Sequence, residues 1–335
     1  MNLIQIQHPQ FGRRVAGIEG EQTKLLSPER ASVHELAAAA VRNERTLTQE
    51  AADSLSDETL DYDSIHAGES PWKLLVPFDH PMEPSRCLVS GTGLTHKASV
   101  DNRQAMHEAE ADVAAITDSM RIYQWGLEGG KPSPGAVGVQ PEWFYKGSGT
   151  ILRAHGQPLE TPPFADDGGE EPEIAGAYLI DSEGRPRRIG LMMGNEFSDH
   201  IMEKKNYLYL APSKLRTCSI GPELVLDADF SSVTGTVSIH RGGETAWSRT
   251  VVTGQDNMSH SLENLEHHHF KYPEHRRPGD VHIHFFGADG FSFGEGFQIQ
   301  DNDVAEVTWN GFGKPLRNPI QIASGPEPFT PAIPL

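Results

Sequence analysis

Residues 168–200, GGEEPEIAGAYLI-DSEGRP-RRIGLMMGNEFSDH, contain two apolar runs separated by a turn. The runs AGAYLI and IGLMMG have the length and composition of buried strands, and Gly and Pro punctuate the segment DSEGRP between them. We therefore predict that the two runs form a β-hairpin. Glu171 and Glu173 alternate with Pro172, so both carboxylates should point to the same face of the first strand.

A third carboxylate, Glu196, follows the second run, where a hairpin would return it to the start of the first strand. Carboxylates that meet on one face repel one another unless a cation neutralises them. Oxygen-only ligands suit Mg²⁺, with Mn²⁺ or Ca²⁺ as alternatives. An E-x-E pattern also occurs in solvated acidic turns, and Asp166, Asp167 and Glu170 lie just upstream. These residues alone leave both interpretations open.

The composition limits the partners and the location of the protein. A formal net charge of −19 over 335 residues argues against nucleic acid or an anionic membrane as a partner. It does not argue against a small anionic substrate, because a local metal and a few lysines can dominate the field inside a cleft. The two cysteines, Cys87 and Cys218, exclude a disulfide framework and suit a reducing compartment. No secretory signal and no membrane-spanning run is visible, so we expect a cytoplasmic protein.

The pattern along the chain predicts two domains, a small N-terminal α/β domain over residues 1–85 and a catalytic domain over residues 86–335. Ser32 is a candidate N-cap for a helix that continues through Val41, and a second helical pattern covers Asn102 to Tyr123. After residue 142, short β-like runs separated by Gly, Pro, Asp and Asn dominate, with one short helix near residues 259–270. We predict an α+β, mostly β fold, a sandwich or rolled barrel rather than repeated βαβ units.

Three isolated residues are candidates for chemistry. His96 follows the loop sequence GTGLT after a predicted strand, and catalytic residues are often displayed on such loops. Lys214 closes a strand-like apolar run, and a nearby cation would lower its pKa and favour proton transfer. Lys146 is a candidate anion-binding residue. For any single histidine or lysine, a solvated surface position is the commoner outcome.

His282 and His284 alternate on one predicted strand, VHIHF, and H-x-H is a cupin-like metal signature. The residues that follow, FFGADG, supply no glutamate at the expected distance. We therefore predict that both histidines serve packing and hydrogen bonding. An iron-dependent, cupin-like enzyme remains an alternative.

Taken in order, these segments resemble the fumarylacetoacetate hydrolase superfamily over about residues 86 to 320. The matching segments are 91–96 (GTGLTH), 144–146 (FYK), 171–173 (EPE), 195–198 (NEFS), Lys214, 278–280 (PGD), 287–290 (GADG) and 313–318 (GKPLRN). The resemblance implies a rolled β-sandwich and a homodimer. It also implies Glu171, Glu173 and Glu196 as Mg²⁺ ligands, Lys214 and His96 as catalytic residues, and a substrate pocket that contains Ser99, Lys146, Gly287 and Ala288.

Departures from the family pattern bear on the reaction. Hydrolytic members usually carry a glutamate three residues after the loop histidine, where this chain has Ser99. The usual third-ligand aspartate is Glu196, and the usual Gly-Thr-Pro turn is Gly287-Ala288-Asp289. The usual Ser-Ala-Arg-Asp arginine is absent from the segment SDH at 198–200. The sequence looks most like the branch of sugar-acid dehydratases, which act on 2-keto-3-deoxypentonates in pentose breakdown.

The resemblance implies a metal-dependent hydro-lyase that converts a 2-keto-3-deoxypentonate to 2,5-dioxopentanoate. A 2-keto acid can chelate Mg²⁺, which makes its C3 protons removable before the C4 hydroxyl leaves. We assign Lys214 to C3 proton transfer or enolate stabilisation and His96 to the leaving hydroxyl, with the two roles interchangeable. The alternatives are an acylpyruvate or diketo-acid hydrolase that cleaves a C–C bond on the same fold, and a non-enzymatic sugar-acid binder.

Overall fold

The computed structural model describes residues 1–98 and 117–335 of the chain. The described helices are Val33–Arg42 (α1), Leu47–Ser54 (α2), Tyr62–His66 (α3), Asp118–Gly129 (α4), His200–Lys205 (α5), Leu210–Ser213 (α6) and Leu262–Phe270 (α7). In the part of the chain described, no helix combines the length and the apolar character that crossing a membrane requires.

The strands form two mixed sheets. They are Asn2–His8 (β1), Gly12–Glu19 (β2), Gln22–Leu26 (β3), Leu55–Leu60 (β4), Lys73–Leu74 (β5), Cys87–Gly91 (β6), Phe144–Ser148 (β7), Leu152–Arg153 (β8), Leu159–Thr161 (β9), Pro172–Ile180 (β10), Pro186–Asn195 (β11), Cys218–Ile220 (β12), Leu224–Val225 (β13), Val233–Arg241 (β14), Glu244–Thr253 (β15), Val281–Phe285 (β16), Val304–Trp309 (β17) and Leu316–Ile322 (β18).

The predicted hairpin is confirmed and lies at the centre of the larger sheet. β10 and β11 pair antiparallel from Pro172 opposite Asn195 to Ile180 opposite Pro186. On its other side β10 pairs with β16, which continues in parallel to β6. Every residue of β10 is buried, which explains why the strand carries apolar residues on both faces instead of alternating, with Glu173 as its charged residue. The open end of the hairpin, at Pro172 and Asn195, is therefore buried inside the protein.

The N-terminal strands belong to the same sheet. Its order is β4-β3-β2-β1-β13-β11-β10-β16-β6-β7, and Leu3 of β1 lies opposite Leu224 of β13. Hydrogen bonding thus continues from the N-terminal unit into the main body. The division at residues 85 and 86 stays a prediction.

The second sheet has the order β15-β14-β17-β18-β9. A buried core joins Ile174 and Met193 of the hairpin to Val237 of β14 and to Val307 and Trp309 of β17. Side chains from the two sheets therefore pack face to face, as in a sandwich. The α+β, mostly β fold class is confirmed.

The outcomes for the helices are mixed. Ser32 caps α1 through a capping box with Glu35, as its position before the apolar run predicts. The helix expected near residues 259–270 is α7. The predicted helix from Asn102 to Tyr123 begins within residues 99–116, outside the described part. As one continuous helix it is wrong, because Thr117 is extended and its side chain caps α4, which runs on to Gly129.

Candidate active site

Three carboxylates meet at the open end of the hairpin. Glu171 precedes β10 and Glu196 follows β11, and the Glu196 N–H donates to the Glu171 carbonyl at 2.9 Å. The pair thus extends the antiparallel ladder by one step, and cross-strand partners present their side chains on the same face. Glu173 lies two residues further along β10, on that same face. Each residue offers a carboxylate oxygen within 4.8 Å of those of the other two.

Burial makes it unfavourable for all three carboxylates of this cluster to be ionised together. The relative exposures of Glu171, Glu173 and Glu196 are 8%, 1% and 0%. Burial, followed by repulsion from Glu196 and Glu171, raises the pKa of Glu173 well above its ordinary value. Burial also raises the pKa of Glu196. A cation at this place would relieve both effects.

The Lys214 ammonium lies between two of the carboxylates. Its Nζ donates to Glu171 Oε1 at 2.7 Å, to Glu196 Oε2 at 2.8 Å and to Ser198 Oγ at 2.9 Å. Burial opposes its charge, but Glu171 and Glu196 raise the pKa of Lys214 well above its ordinary value. The Phe144 ring covers the ammonium at 4.8 Å from its centroid. Lys214 is therefore a buried cation in direct contact with the candidate metal ligands.

The local structure around Lys214 differs from the prediction of a strand. Lys214 is the C-cap residue of the short helix α6, Leu210–Ser213. Pro212 explains the difference, because proline fits the first turn of a helix but cannot donate to a β-ladder. The following segment is fixed by a buried ion pair between Arg216 Nη2 and Asp199 Oδ2 at 2.9 Å.

Lys146 of β7 is fully buried and reaches the cluster from the other side. Its Nζ contacts Glu196 Oε1 at 2.5 Å and donates to the carbonyls of Phe197 at 2.6 Å and Lys214 at 3.0 Å. An ammonium has three N–H donors, and these contacts account for them. In this structure Lys146 fixes the orientation of Glu196, and its predicted contact with substrate stays a prediction.

His200, which the sequence analysis did not select, is a further partner of Glu171. Its Nε2 lies 3.1 Å from Glu171 Oε1, and its ring stacks on Phe291 at 4.5 Å and 7°. Burial opposes protonation, but the hydrogen bond and the charge of Glu171 raise the pKa of His200. Burial likewise opposes the ionisation of Glu171, but Lys214 and His200 hold the pKa of this carboxyl well below its ordinary value.

His96 is buried, not a surface residue. Its Nδ1 hydrogen-bonds with Thr95 Oγ1 at 2.9 Å, and its Nε2 with Thr253 Oγ1 of β15 at 3.1 Å. Burial lowers the pKa of His96 to about 3, so its imidazole is neutral at pH 7. Ser99 lies outside the described residues, and its predicted role stays a prediction.

Gly287 connects the His96 loop to the carboxylates. Its N–H donates to Glu173 Oε2 at 2.7 Å, and its φ of +99° is a conformation that favours glycine. A Cβ at this position would lie 2.1 Å from Thr95 Oγ1. Ala288 beside it is 5% exposed. Gly287 thus holds Glu173 in place, and substrate contact by Gly287 and Ala288 stays a prediction.

His282 and His284 lie on the other face of the sheet from the carboxylates. On β10, Gly176 and Tyr178 are opposite these histidines, whereas Glu173 shares its face with Ala175. The two histidines form hydrogen bonds with neighbouring polar side chains. His284 Nδ1 lies 2.9 Å from Ser90 Oγ and His284 Nε2 lies 2.9 Å from Thr92 Oγ1. His282 Nδ1 lies 3.0 Å from His269 Nε2. Across the described residues, the group suited to a metal is the glutamate cluster. These contacts favour the packing role over the cupin-like alternative.

The sequence analysis also did not select Asn195, Ser198 and Glu203 as functional residues. Asn195 Oδ1 accepts from the Glu171 N–H at 3.1 Å, and Glu203 Oε1 lies 3.2 Å from Lys214 Nζ. Asn195, Ser198 and His200 all lie in the segment NEFSDH, which the sequence analysis used as a family motif. Its polar residues other than Glu196 were the signal that could have identified them.

The donor set fits a hard divalent cation. All three candidate ligands are buried carboxylates, and such oxygen ligands suit Mg²⁺ better than softer metals. Glu171 and Glu196 are each fixed by a lysine or histidine, and Glu173 by the Gly287 N–H. Such partners orient metal ligands in known sites.

No family model matches this chain, and no curated protein matches it. Several solved structures do. One is 2-keto-3-deoxy-D-arabinonate dehydratase in its apo form, with a TM-score of 0.71 and 19% identity over 97% of this chain and 100% of that one. The same enzyme complexed with magnesium and 2,5-dioxopentanoate matches at a TM-score of 0.70 and 19% identity, with the same coverage. A third is 2-hydroxyhepta-2,4-diene-1,7-dioate isomerase from Mycobacterium marinum, with a TM-score of 0.58 and 16% identity over 97% of this chain and 100% of that one.

These similarities establish the fold. The chain has a fumarylacetoacetate hydrolase-like fold. Within that fold it is similar to a sugar-acid dehydratase over nearly the full length of both chains. The resemblance seen in the sequence is confirmed at the level of the fold.

Proposed function

We propose that the protein is a metal-dependent hydro-lyase that converts a 2-keto-3-deoxypentonate to 2,5-dioxopentanoate and water. The observation that carries the proposal is the buried cluster of Glu171, Glu173 and Glu196 in contact with the Lys214 ammonium. The similarity to a dehydratase complexed with magnesium and 2,5-dioxopentanoate supports the choice of substrate.

The three glutamates would hold Mg²⁺, and the ion would supply Lewis-acid polarisation of the substrate's keto group. The Lys214 ammonium is close enough to these ligands to stabilise negative charge that develops on the substrate oxygens. Its burial strengthens that interaction, because the charge is poorly screened by water.

The charge states favour one of the two assignments of acid and base. His96 is neutral at pH 7, which is the protonation state of a base and not of an imidazolium acid, although its lowered pKa makes it a weak proton acceptor. Lys214 is protonated at pH 7, because the adjacent carboxylates of Glu171 and Glu196 stabilise its positive charge. We therefore assign proton acceptance at C3 to His96, and charge stabilisation and proton donation toward the leaving C4 hydroxyl to Lys214.

The reaction balances without a redox partner. Loss of the C3 proton and the C4 hydroxyl forms water and a C3–C4 double bond. Loss of one proton from C5 and of the C5 hydroxyl proton, balanced by protonation at C3 and then at C4, moves the unsaturation to C5, which becomes the aldehyde. The carbon skeleton stays intact.

The proposal is tested by incubating the protein with Mg²⁺ and each 2-keto-3-deoxypentonate stereoisomer, coupled to a semialdehyde dehydrogenase and a nicotinamide cofactor. We expect cofactor reduction with at least one stereoisomer, and 2,5-dioxopentanoate in the uncoupled reaction. Binding of these acids without turnover would instead identify a sugar-acid binder. Pyruvate and a two-carbon fragment as products would contradict the dehydratase proposal.

A further inference from the structure

A basic cavity lies between the α1–α2 connection and the closed end of the β10–β11 hairpin. Its volume is about 730 Å³, within the range of small-molecule sites. Its charged lining consists of five arginines, Arg42, Arg45, Arg185, Arg187 and Arg188, and three acids, Glu44, Glu183 and Asp227. The lining residues alone carry a formal charge of +2, five arginines less three acids, and Arg45, Arg185, Arg187 and Arg188 are each paired with a carboxylate behind the lining.

Two arginines of the hairpin turn, Arg185 and Arg187, are fixed by hydrogen bonds to one buried carboxylate. Asp181, whose side chain is fully buried, accepts from Arg185 Nε at 2.8 Å and from Arg187 Nε at 2.9 Å. Its other oxygen accepts the backbone N–H groups of Glu183 and Arg185. Because each guanidinium is held through Nε, its terminal nitrogens can point elsewhere. Within the described residues, those of Arg187 have no hydrogen-bond partner. This is a pre-organised donor pair for an anion.

The opposite wall adds positive charge. Arg42 ends α1 and forms no ion pair with any described residue, whereas Arg45 pairs with Asp53. α2 begins at the cavity with Leu47 and Thr48 and α1 ends there with Arg42, so the opposed ends of the two helix dipoles offset each other and the positive charge of this wall comes from its arginines.

Two of the acids that line the cavity are already engaged. Glu183 pairs with Arg185 at 2.8 Å, and Asp227 accepts from Thr48 Oγ1 at 2.9 Å. Glu44 is exposed to solvent. The cavity also has an apolar part, formed by Ala37, Ala40, Leu47, Ile189 and Leu226.

We propose that the basic cavity binds a phosphorylated organic molecule of nucleotide size. Guanidinium groups bind phosphate through paired N–H donors, and the apolar part accommodates the organic portion. The site is distinct from the carboxylate cluster. The ten residues of β11 separate the two ends of the hairpin, and at about 3.3 Å per residue this is roughly 30 Å.

Isothermal titration of the metal-free protein in EDTA, with inorganic pyrophosphate, ADP and adenosine as probes, tests the proposal. We expect pyrophosphate and ADP to bind saturably at one site per chain. ADP should bind about tenfold more tightly because of the apolar part, and adenosine should give no saturable heat. Equal affinities for pyrophosphate and ADP would overturn the organic part of the proposal. A lack of saturable binding by both anions would overturn it entirely.

Three variants locate the site. Arg42→Gln and Arg187→Gln should each weaken ADP binding about tenfold or more. Arg42→Gln replaces a guanidinium that forms no ion pair with any described residue, so the fold should tolerate the change. Circular dichroism verifies that the variant is folded. The matched control is Arg121→Gln, an exposed arginine of α4 outside the cavity. ADP affinity that is the same in all three variants would place the binding elsewhere and overturn the proposal.

Discussion

Glu171 and Glu196 are directly opposite each other at the open end of the hairpin, and one ammonium, Lys214 Nζ, contacts both carboxylates at 2.7 and 2.8 Å. The backbone N–H of Glu196 also donates to the Glu171 carbonyl. Two like charges are thus held together by the strand pairing and neutralised in part by a residue from a separate helix–turn segment. This arrangement leads to the predictions that follow.

The first prediction concerns the metal. EDTA should abolish activity, and Mg²⁺ or Mn²⁺ should restore it. Glu173→Gln should lower the rate by roughly two orders of magnitude or more and weaken Mg²⁺ binding in titration calorimetry, because a ligand is lost. The control is Glu170→Gln, since Glu170 is buried beside the cluster but accepts from Ser292. Full activity of Glu173→Gln after treatment with EDTA would show that these glutamates do not form a catalytic metal site.

The second prediction concerns Lys214→Met. Without the ammonium the carboxylates lose a buried counter-ion, which costs roughly 3–5 kcal/mol for such a pair. The melting temperature should therefore fall in EDTA and recover in part with Mg²⁺, more than it does for the wild type. The chemical step should be lost, while pyruvate or oxalate still binds the Mg²⁺-loaded variant. A melting temperature that falls equally with and without Mg²⁺ would show that the ammonium and the metal do not share these ligands.

The third prediction concerns His282 and His284. Burial lowers the pKa of each histidine from 6.5 to about 3, so the unfolded chain binds protons that the native protein does not. Their contribution to stability is complete above pH 6.5 and is lost as the pH falls toward 3, by up to about 1.4 kcal/mol per pH unit per histidine.

Replacement of both histidines by Gln should therefore flatten the pH dependence of the urea midpoint between pH 6.5 and 5, relative to the exposed control His267→Gln. The identity of the bound metal should not change. Loss of all bound metal with the fold intact would support the cupin-like alternative.

The fourth prediction separates a lyase from a hydrolase. In D₂O, NMR should detect solvent deuterium at C3 or C4 of 2,5-dioxopentanoate, because the enol intermediates must be reprotonated. The expectation depends on Ser99, since a serine cannot remove a proton from water at neutral pH as a glutamate can. Ser99→Glu introduces the glutamate that hydrolytic members carry at this position. If the reaction needs no activated water, this variant should not have a higher dehydration rate than the wild type. Cleavage of a C–C bond by the wild type would contradict the assignment.

Much of the fold and of the carboxylate cluster could be predicted because both depend on local patterns. The alternation of Glu171 with Glu173 and the hairpin turn fix which carboxylates share a face, whatever the rest of the chain does. The predicted strand at Lys214 was wrong because an apolar run of this length fits either element, and Pro212 favours the helix. His200 was not selected because it is the first residue of α5, beyond the end of the strand, where the alternation of a strand no longer indicates which way a side chain points.

The sequence by itself determined the hairpin, the composition of the carboxylate cluster, the cap of α1 and the mostly β fold class. Each follows from residue spacing or from backbone preferences over a few neighbours. Only the tertiary structure decided that Lys146 fixes Glu196, that His96 is buried and neutral, and that five arginines line one cavity. Those facts join residues far apart in the chain, and such contacts are set by the packing of strands and helices, which no local pattern specifies.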